Sequence, residues 1–256
     1  MTFNIRFDNP EDGLHEWSRR RHLVVEVIKR TSPHLLALQE GTPKQLQFLI
    51  HNLQDYRAAV RWRRKDEDPR IQCPTIFYIK ETLKVLEGGE FWLSKTPHVH
   101  LSKSWGSAYP RMFTYAKFLH LEVPIRFWFC NTHLDHVSLE ARMKGAEIIA
   151  NWVRGKRLPV ILAGDFNDLP GSKVHRVLTD EGANLADTWF KAMGRRDEGP
   201  STVHHFTGKP VGGRVDWILV SPGVKVQNAQ VIDLSWGDRY PSDHYPFLTD
   251  LVLPLI

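Results

Sequence analysis

Strand, helix and strand, with each strand apolar until its last residues and polar at its end, occur twice in this 256-residue chain. That repetition constrains the fold more than any single motif does. In the first copy, Phe3 and Ile5 share one face of a short strand and leave Thr2 and Asn4 on the other. Arg19–Arg30 then carries Leu23, Val24, Val27 and Ile28 at helical spacing, and the apolar Leu35–Leu38 runs into Gln39-Glu40. In the second copy, Arg126–Cys130 runs into Asn131-Thr132-His133-Leu134-Asp135-His136. Ser138 is placed to cap a helix bearing Leu139, Met143, Ala146, Ala150 and Val153, and Gly155 to end it. The chain then enters Leu158–Asp168, LPVILAGDFND, where Val160–Ala163 reads as a strand buried on both faces. Beyond it Asp165 and Asn167 leave one side of the extended chain while Phe166 turns back into the core. Two such halves predict an internally duplicated α/β architecture, two mixed sheets face to face with helices outside, whose polar strand ends meet at one cleft.

The remaining pattern fits one domain spanning residues 1–256, with 42% hydrophobic and 25% charged residues. Thr42-Pro43 opens a helix carrying Leu46, Leu49, Ile50 and Leu53. Further strands are expected over Pro74–Tyr78, Leu83–Leu86, Phe113–Leu121, Arg214–Val220, Val224–Ile232 and Phe247–Leu253. An irregular stretch from Trp92 to Arg111 is of the kind that lines a site. Cys73 and Cys130 lie in or beside apolar runs, as buried free thiols do, and imply no disulfide framework. With no signal peptide and no apolar run of about 18 residues, no membrane partner is expected and the cytoplasm is the default compartment. The net charge of +5 suits an anionic substrate without naming one. The dense run Arg61–Arg70 mixes both signs and reads as a solvated loop, although Trp62 within it, with Trp105 and Trp189 near loops, would allow bases to stack.

Taken singly, the polar strand ends have ordinary structural explanations. Asp165 and Asn167 could form an Asx turn before Pro170-Gly171, His133 could be a satisfied core histidine, Asp216 a buried turn acceptor, and Arg111 a surface salt bridge. Taken together and in order, MTFNIR, LQE, NTHLDH, GDFN, GGRVDWILVS and SDHYP resemble the endonuclease/exonuclease/phosphatase superfamily of metal-dependent phosphoesterases. The closest likeness is to a bacterial hydrolase branch that is itself similar to the deadenylase and nocturnin group. The resemblance implies a four-layer α/β sandwich and hydrolysis of a phosphate ester by metal- and Asp-assisted attack of water on phosphorus.

It further implies that Glu40, helped by Asn4, holds the metal, and the all-oxygen donor set favours Mg²⁺ or Mn²⁺ over Zn²⁺. Asp165 would activate water and Asn167 hold water or phosphate. His244, oriented by Asp243, would donate to a phosphoryl oxygen, and His133, with its tautomer fixed by Asp216, would support the phosphate or leaving group. Arg111 would clamp phosphate, with Asn131 as a further substrate contact, Asp135 and His136 as substrate or second-metal contacts, and His204-His205 as candidate lining. A small or single-stranded substrate is expected. A nuclease acting on duplex DNA is the alternative, and a non-catalytic binding module on the same fold is the alternative of another class.

Overall fold

The computed structural model describes residues 1–59, 72–180, 182–194 and 198–255. In chain order its first half contains β1 (Thr2–Asn4), α1 (Trp17–Thr31), β2 (Leu35–Gly41), α2 (Pro43–Asn52), β3 (Tyr56–Ala58), β4 (Cys73–Ile79), β5 (Leu83–Trp92) and β6 (Met112–His120). Then come β7 (Arg126–His133), α3 (Leu139–Arg154), β8 (Val160–Asp165), α4 (Lys173–Thr179), β9 (Ala186–Asp187), α5 (Thr188–Met193), β10 (Asp216–Val220), β11 (Lys225–Val231) and β12 (Phe247–Val252). One six-stranded sheet runs β11-β12-β1-β2-β4-β3 and the other β5-β6-β7-β8-β10-β9. In each, a parallel pair, β1 with β2 and β7 with β8, is flanked by antiparallel strands.

Period-two alternation explains how the layers stack. Along β7, Trp128 and Cys130 pack toward α3, whereas Phe127 and Phe129 enter the space between the sheets. Along β8, Val160 and Leu162 take the helix side and Ile161 and Ala163 the inter-sheet side. In the other half, Phe3, Leu36 and Leu38 meet Val24, Val27, Ile28 and Leu49 from α1 and α2, while Ala37 faces inward. The result is helix, sheet, sheet, helix: the expected four-layer sandwich of two mixed sheets. Capping follows the sequence closely. Ser138 Oγ accepts from Ala141 N at 3.1 Å, and Thr42 N donates to Gln45 Oε1 at 3.1 Å ahead of Pro43.

Several elements escape the sequence pattern. Strand β5 continues through Gly88-Gly89 to Trp92, with a bulge between Val85 and Glu87, because the Tyr115 ring of β6 lies where a side chain at Gly89 would stand. The short β3, β9, α4 and α5 carry too few residues to show a period. Trp189, expected near a loop, is buried in α5. Cys73 and Cys130 are buried free thiols. Among the described residues no helix is long and apolar enough to cross a membrane. The charged run Arg61–Arg70, with Trp62, lies outside the described residues.

Candidate active site

The alternation that builds the inter-sheet core also builds the site. Continuing the inward-facing positions to the strand ends gives Thr2 and Asn4 on β1, Gln39 on β2, Asn131 and His133 on β7, Asp165 on β8 and Asp216 at the start of β10. His133, Asp165 and Asp216 lie side by side in register across three neighbouring strands. Asp165 is their hub. Its Oδ2 lies 3.4 Å from His133 Nε2 and accepts from Asn4 Nδ2 at 2.9 Å, a bond that crosses from one sheet to the other.

Glu40 shares its strand parity with Leu36 and Leu38, so simple alternation would aim it at the helices. A register shift between Leu38 and Gly41 and a left-handed backbone at Glu40 (φ 64°) turn it instead toward the cleft. There Glu40 Oε1 accepts from Asn4 Nδ2 at 3.0 Å and Oε2 from Phe7 N at 3.0 Å. A non-glycine residue held in that region costs about 1 kcal/mol or more, and such strain collects at functional sites. Asn167 is left-handed too (φ 50°). Its backbone N donates to Asp165 Oδ1 at 3.0 Å and its Nδ2 to Leu134 O at 3.0 Å. The Asx turn and the site are therefore the same residues, not competing readings.

His244 arrives from the loop before β12 and places Nδ1 2.9 Å from Asp216 Oδ2. Burial alone would lower this imidazole, but the adjacent Asp216 carboxylate, with Asp165 beyond it, holds it well above the ordinary histidine range. Burial, assisted by the positive field of Arg111 and His244, keeps His133 well below that range and neutral. Burial and the neighbouring Asp216 push Asp165 up to about 7. The cleft thus holds one charged imidazole, one neutral imidazole and a carboxyl group balanced between its two forms near neutral pH.

Three expected assignments change. Asp216 partners His244, not His133, because β10 carries its first residue toward the loop bearing His244. Asp243, expected to orient His244, instead faces Arg6 at 4.0 Å and accepts from Ser242 Oγ. Asn131, expected to touch substrate, is fully buried and its amide is used up between the sheets. It donates to Leu38 O and Thr75 O at 2.8 and 3.0 Å and accepts from Gln39 Nε2 at 2.8 Å.

Asp135, the other expected substrate contact beside Arg111, is likewise committed to the protein. Oδ1 accepts from Val137 N and Ser138 N, and Oδ2 meets Ser107 Oγ and Ala108 N, all within 3.0 Å. Arg111 is no surface residue: only 9% of it is exposed, its Nε lies 3.5 Å from Asp135 and its Nη2 3.0 Å from His136 Nδ1. His204 packs in the core against Tyr245, ring centroids 4.0 Å apart, and does not line the cleft.

Two positioning groups carried a sequence signal that the motifs hid. Arg20, 2% exposed, sits three and four residues before Leu23 and Val24, on the apolar stripe of α1 where a charge is out of place. Its guanidinium donates to the carbonyls of Ile5, Arg6 and Pro241, tying the end of β1 to the loop that delivers His244. Gln39, next to Glu40, hydrogen-bonds Thr2 Oγ1 and Asn131 Oδ1 across the sheets. Arg20 lies outside every motif, and Gln39 stands inside LQE beside the more conspicuous Glu40.

The donor set fits a hard divalent cation. Asp165, Asp216 and His244 bring carboxylate and ring atoms within 4.8 Å of one another, and Asp216 Oδ1 is buried without a hydrogen-bond partner; the charged His244 ring has no lone pair to give a metal, so the two carboxylates are the donors of this cluster. Glu40 adds carboxylate oxygens from the opposite sheet, joined to Asp165 by the Asn4 amide, whose Nδ2 faces both carboxylates while its Oδ1 accepts from Arg6 N at 3.0 Å; the metal contact expected of Asn4 requires that amide to turn over. Buried carboxylates that repel one another gain from a positive charge between or beside them.

With that geometry in place, the class is clear from comparison. The profile of the Endonuclease/Exonuclease/phosphatase family matches residues 1–244, and the chain belongs to that family. An endonuclease/exonuclease/phosphatase from Bacteroides vulgatus is 30% identical, with 99% of this chain and 97% of that one covered at a TM-score of 0.88. A mannosyl-6-phosphatase from Bacteroides thetaiotaomicron is 28% identical, with 98% of each chain covered at 0.86. The catalytic domain of human nocturnin, 20% identical with 98% and 92% covered at 0.73, shares the fold. Among curated proteins none matches the chain.

Proposed function

We propose that this protein is a Mg²⁺- or Mn²⁺-dependent hydrolase of phosphate esters, with residues 1–256 acting as one catalytic domain on a small or single-stranded substrate. The observation that carries the reading is the position of Asp165: buried, balanced near neutral pH, and flanked by His133, Asp216 and Asn4 from three other strands. A solely structural carboxylate has no need of two histidines and three further polar strand ends at a cleft mouth.

Glu40 would hold the cation, helped by Asn4 once its amide presents the oxygen, and Asp165, which shares the Asn4 amide with Glu40, would be available to it. The bound ion would neutralise phosphoryl oxygens and acidify water. Asp165 accepts the proton of the attacking water, oriented by Asn167 and the Asn4 amide. His244, charged through Asp216, donates to a non-bridging oxygen as negative charge builds there. Neutral His133 and the Arg111 guanidinium face the phosphate or the leaving oxygen. The mannosyl-6-phosphatase relative supports a small phosphomonoester, and the absence of any added groove-inserting element among the described residues supports the same choice over duplex DNA.

A hydrolysis panel with Mg²⁺ and Mn²⁺ tests this: aryl phosphomonoester, aryl phosphodiester, sugar phosphates, single-stranded RNA and duplex DNA. Metal-dependent turnover of small or single-stranded esters is expected. Efficient cleavage of duplex DNA, falling steeply with salt by roughly 0.9 log units per contacted phosphate, would move the protein to the duplex-nuclease alternative. No turnover in any arm would favour the binding module.

A further inference from the structure

The loop pair around Asp135 presents groups that the phosphate chemistry leaves unused. Arg111 Nη2 lies 3.0 Å from His136 Nδ1. A guanidinium has hydrogens to give and no lone pair to accept with, so Nδ1 is the acceptor in this contact and the neutral ring carries its hydrogen on Nε2. His136 is exposed. Its Nε2–H therefore leaves the far edge of the ring as a free donor at the lip of the cleft. Tyr109 stacks on the same imidazole, with centroids 5.8 Å apart and planes 21° from parallel, and is 59% exposed. The Arg111 guanidinium carbon lies 5.8 Å from the Tyr109 ring centre, and Arg111 is within electrostatic reach of Asp165 and Glu40.

Both lips hang from one anchor. Asp135 Oδ2 holds Ser107 Oγ and Ala108 N on one side, and Oδ1 holds Val137 N and Ser138 N on the other. The tyrosine and histidine are thus fixed relative to Arg111 before any ligand arrives, and pre-organisation of this kind spares a ligand the cost of ordering them. An exposed aromatic so anchored adds little to the core.

We propose that Tyr109 and His136 form the subsite for the alcohol half of the ester, and that the alcohol is a sugar ring. The Tyr109 face covers ring C–H groups while His136 Nε2–H donates to a sugar hydroxyl oxygen. A neutral donor does not attract the next phosphate of a polynucleotide, which favours a free sugar phosphate over a nucleic acid strand. The inference rests on the phosphoesterase reading above and names its substrate class.

The test compares wild type, His136→Asn and Tyr109→Ala, with Mn²⁺, on mannose 6-phosphate, 4-nitrophenyl phosphate and a nucleoside 5′-monophosphate, with thermal melting as the fold control. His136→Asn keeps an oxygen acceptor for Arg111 and leaves its amide N–H at about the former Cδ2 position, short of the reach of Nε2–H. Both variants should raise KM for the sugar phosphate about tenfold, the scale of one lost hydrogen bond or packing contact, with kcat changed less than about twofold, and His136→Asn, which removes a donor that an aryl ring does not use, should leave aryl phosphate kinetics within about twofold. Equal losses on both substrates with His136→Asn would make this residue part of the phosphate site and overturn the proposal, as would unchanged sugar phosphate kinetics. A loss confined to the nucleotide with Tyr109→Ala would overturn it in favour of a base platform. Wild type that cleaves aryl but not sugar phosphates would refute the subsite and leave the phosphoesterase standing. Wild type that cleaves none of the three, nor any other ester of the panel above, would refute both.

Discussion

Asp135→Asn distinguishes a residue that touches substrate from one that builds the wall. An asparagine must present its NH₂ at the position of either Oδ1 or Oδ2. At Oδ1 it confronts Val137 N and Ser138 N, and at Oδ2 it confronts Ala108 N, with Arg111 Nε 3.5 Å away. Losing about two hydrogen bonds to a charged acceptor, at roughly 1.5 kcal/mol each, amounts to about 3 kcal/mol. A second route gives a similar figure. Burial would raise this carboxyl, yet the N–H groups of Ser138 and Val137, the Ser107 hydroxyl and Arg111 bring it from 3.8 to about 2. That depression corresponds to roughly 2 kcal/mol. Because the folded value lies below the unfolded one, the contribution is complete above about pH 4 and fades as pH falls toward 2. Thermal melting at pH 7 should drop by about 6–12 °C for a chain of this size. Urea titrations at pH 7, 5 and 3.5 should show the gap between variant and wild type narrowing below pH 4. An unchanged melting temperature with activity lost would refute the reasoning and return Asp135 to the substrate.

The inter-sheet tie gives a parallel expectation. Asn131→Leu removes three hydrogen bonds of a buried amide, from Gln39 Nε2 and to Leu38 O and Thr75 O, and should cost about 3 kcal/mol in urea unfolding, while KM per folded molecule stays within about twofold; a raised KM at full stability would contradict it. Glu40→Gln should weaken Mn²⁺ affinity in calorimetry while lowering the melting temperature by only about 2–4 °C, since its NH₂ replaces the acceptor of one bond, from Asn4 Nδ2 or Phe7 N; unchanged affinity would remove Glu40 from the metal. Since Asp165 lies at about 7, a cation that contacts it must displace a proton below that pH, so Mn²⁺ affinity should climb by up to about tenfold per unit from pH 5 to 7 and level off above. A flat profile would place the cation away from Asp165.

The strand ends were legible because apolar alternation runs directly into them. Phe127 and Phe129 fix the parity that delivers His133, as Ile161 and Ala163 do for Asp165. What parity could not supply was pairing between distant segments. Whether Asp216 would meet His133 or His244 depends on the path of the loop before β12, which Arg20 and Ser242 anchor by hydrogen bonds to backbone carbonyls that no side-chain pattern records. Glu40 stands out by its residue type, yet its aim into the cleft depends on a bulge and a positive φ invisible in LALQEG. Asn131 and Asp135 misled for the opposite reason. Inside a motif rich in chemistry, a polar residue that ties sheets or loops together has the same letter as one that binds substrate.

The most direct measurement of the central claim is phosphate release from a small phosphate ester by wild type and Asp165→Asn, each with Mn²⁺ and again after chelation, with folding confirmed by melting. Turnover should require the metal, and the variant should lose about 10²-fold or more in kcat with a smaller change in KM, the scale of a group acting on the transition state. Turnover that survives both chelation and Asp165→Asn would contradict the account.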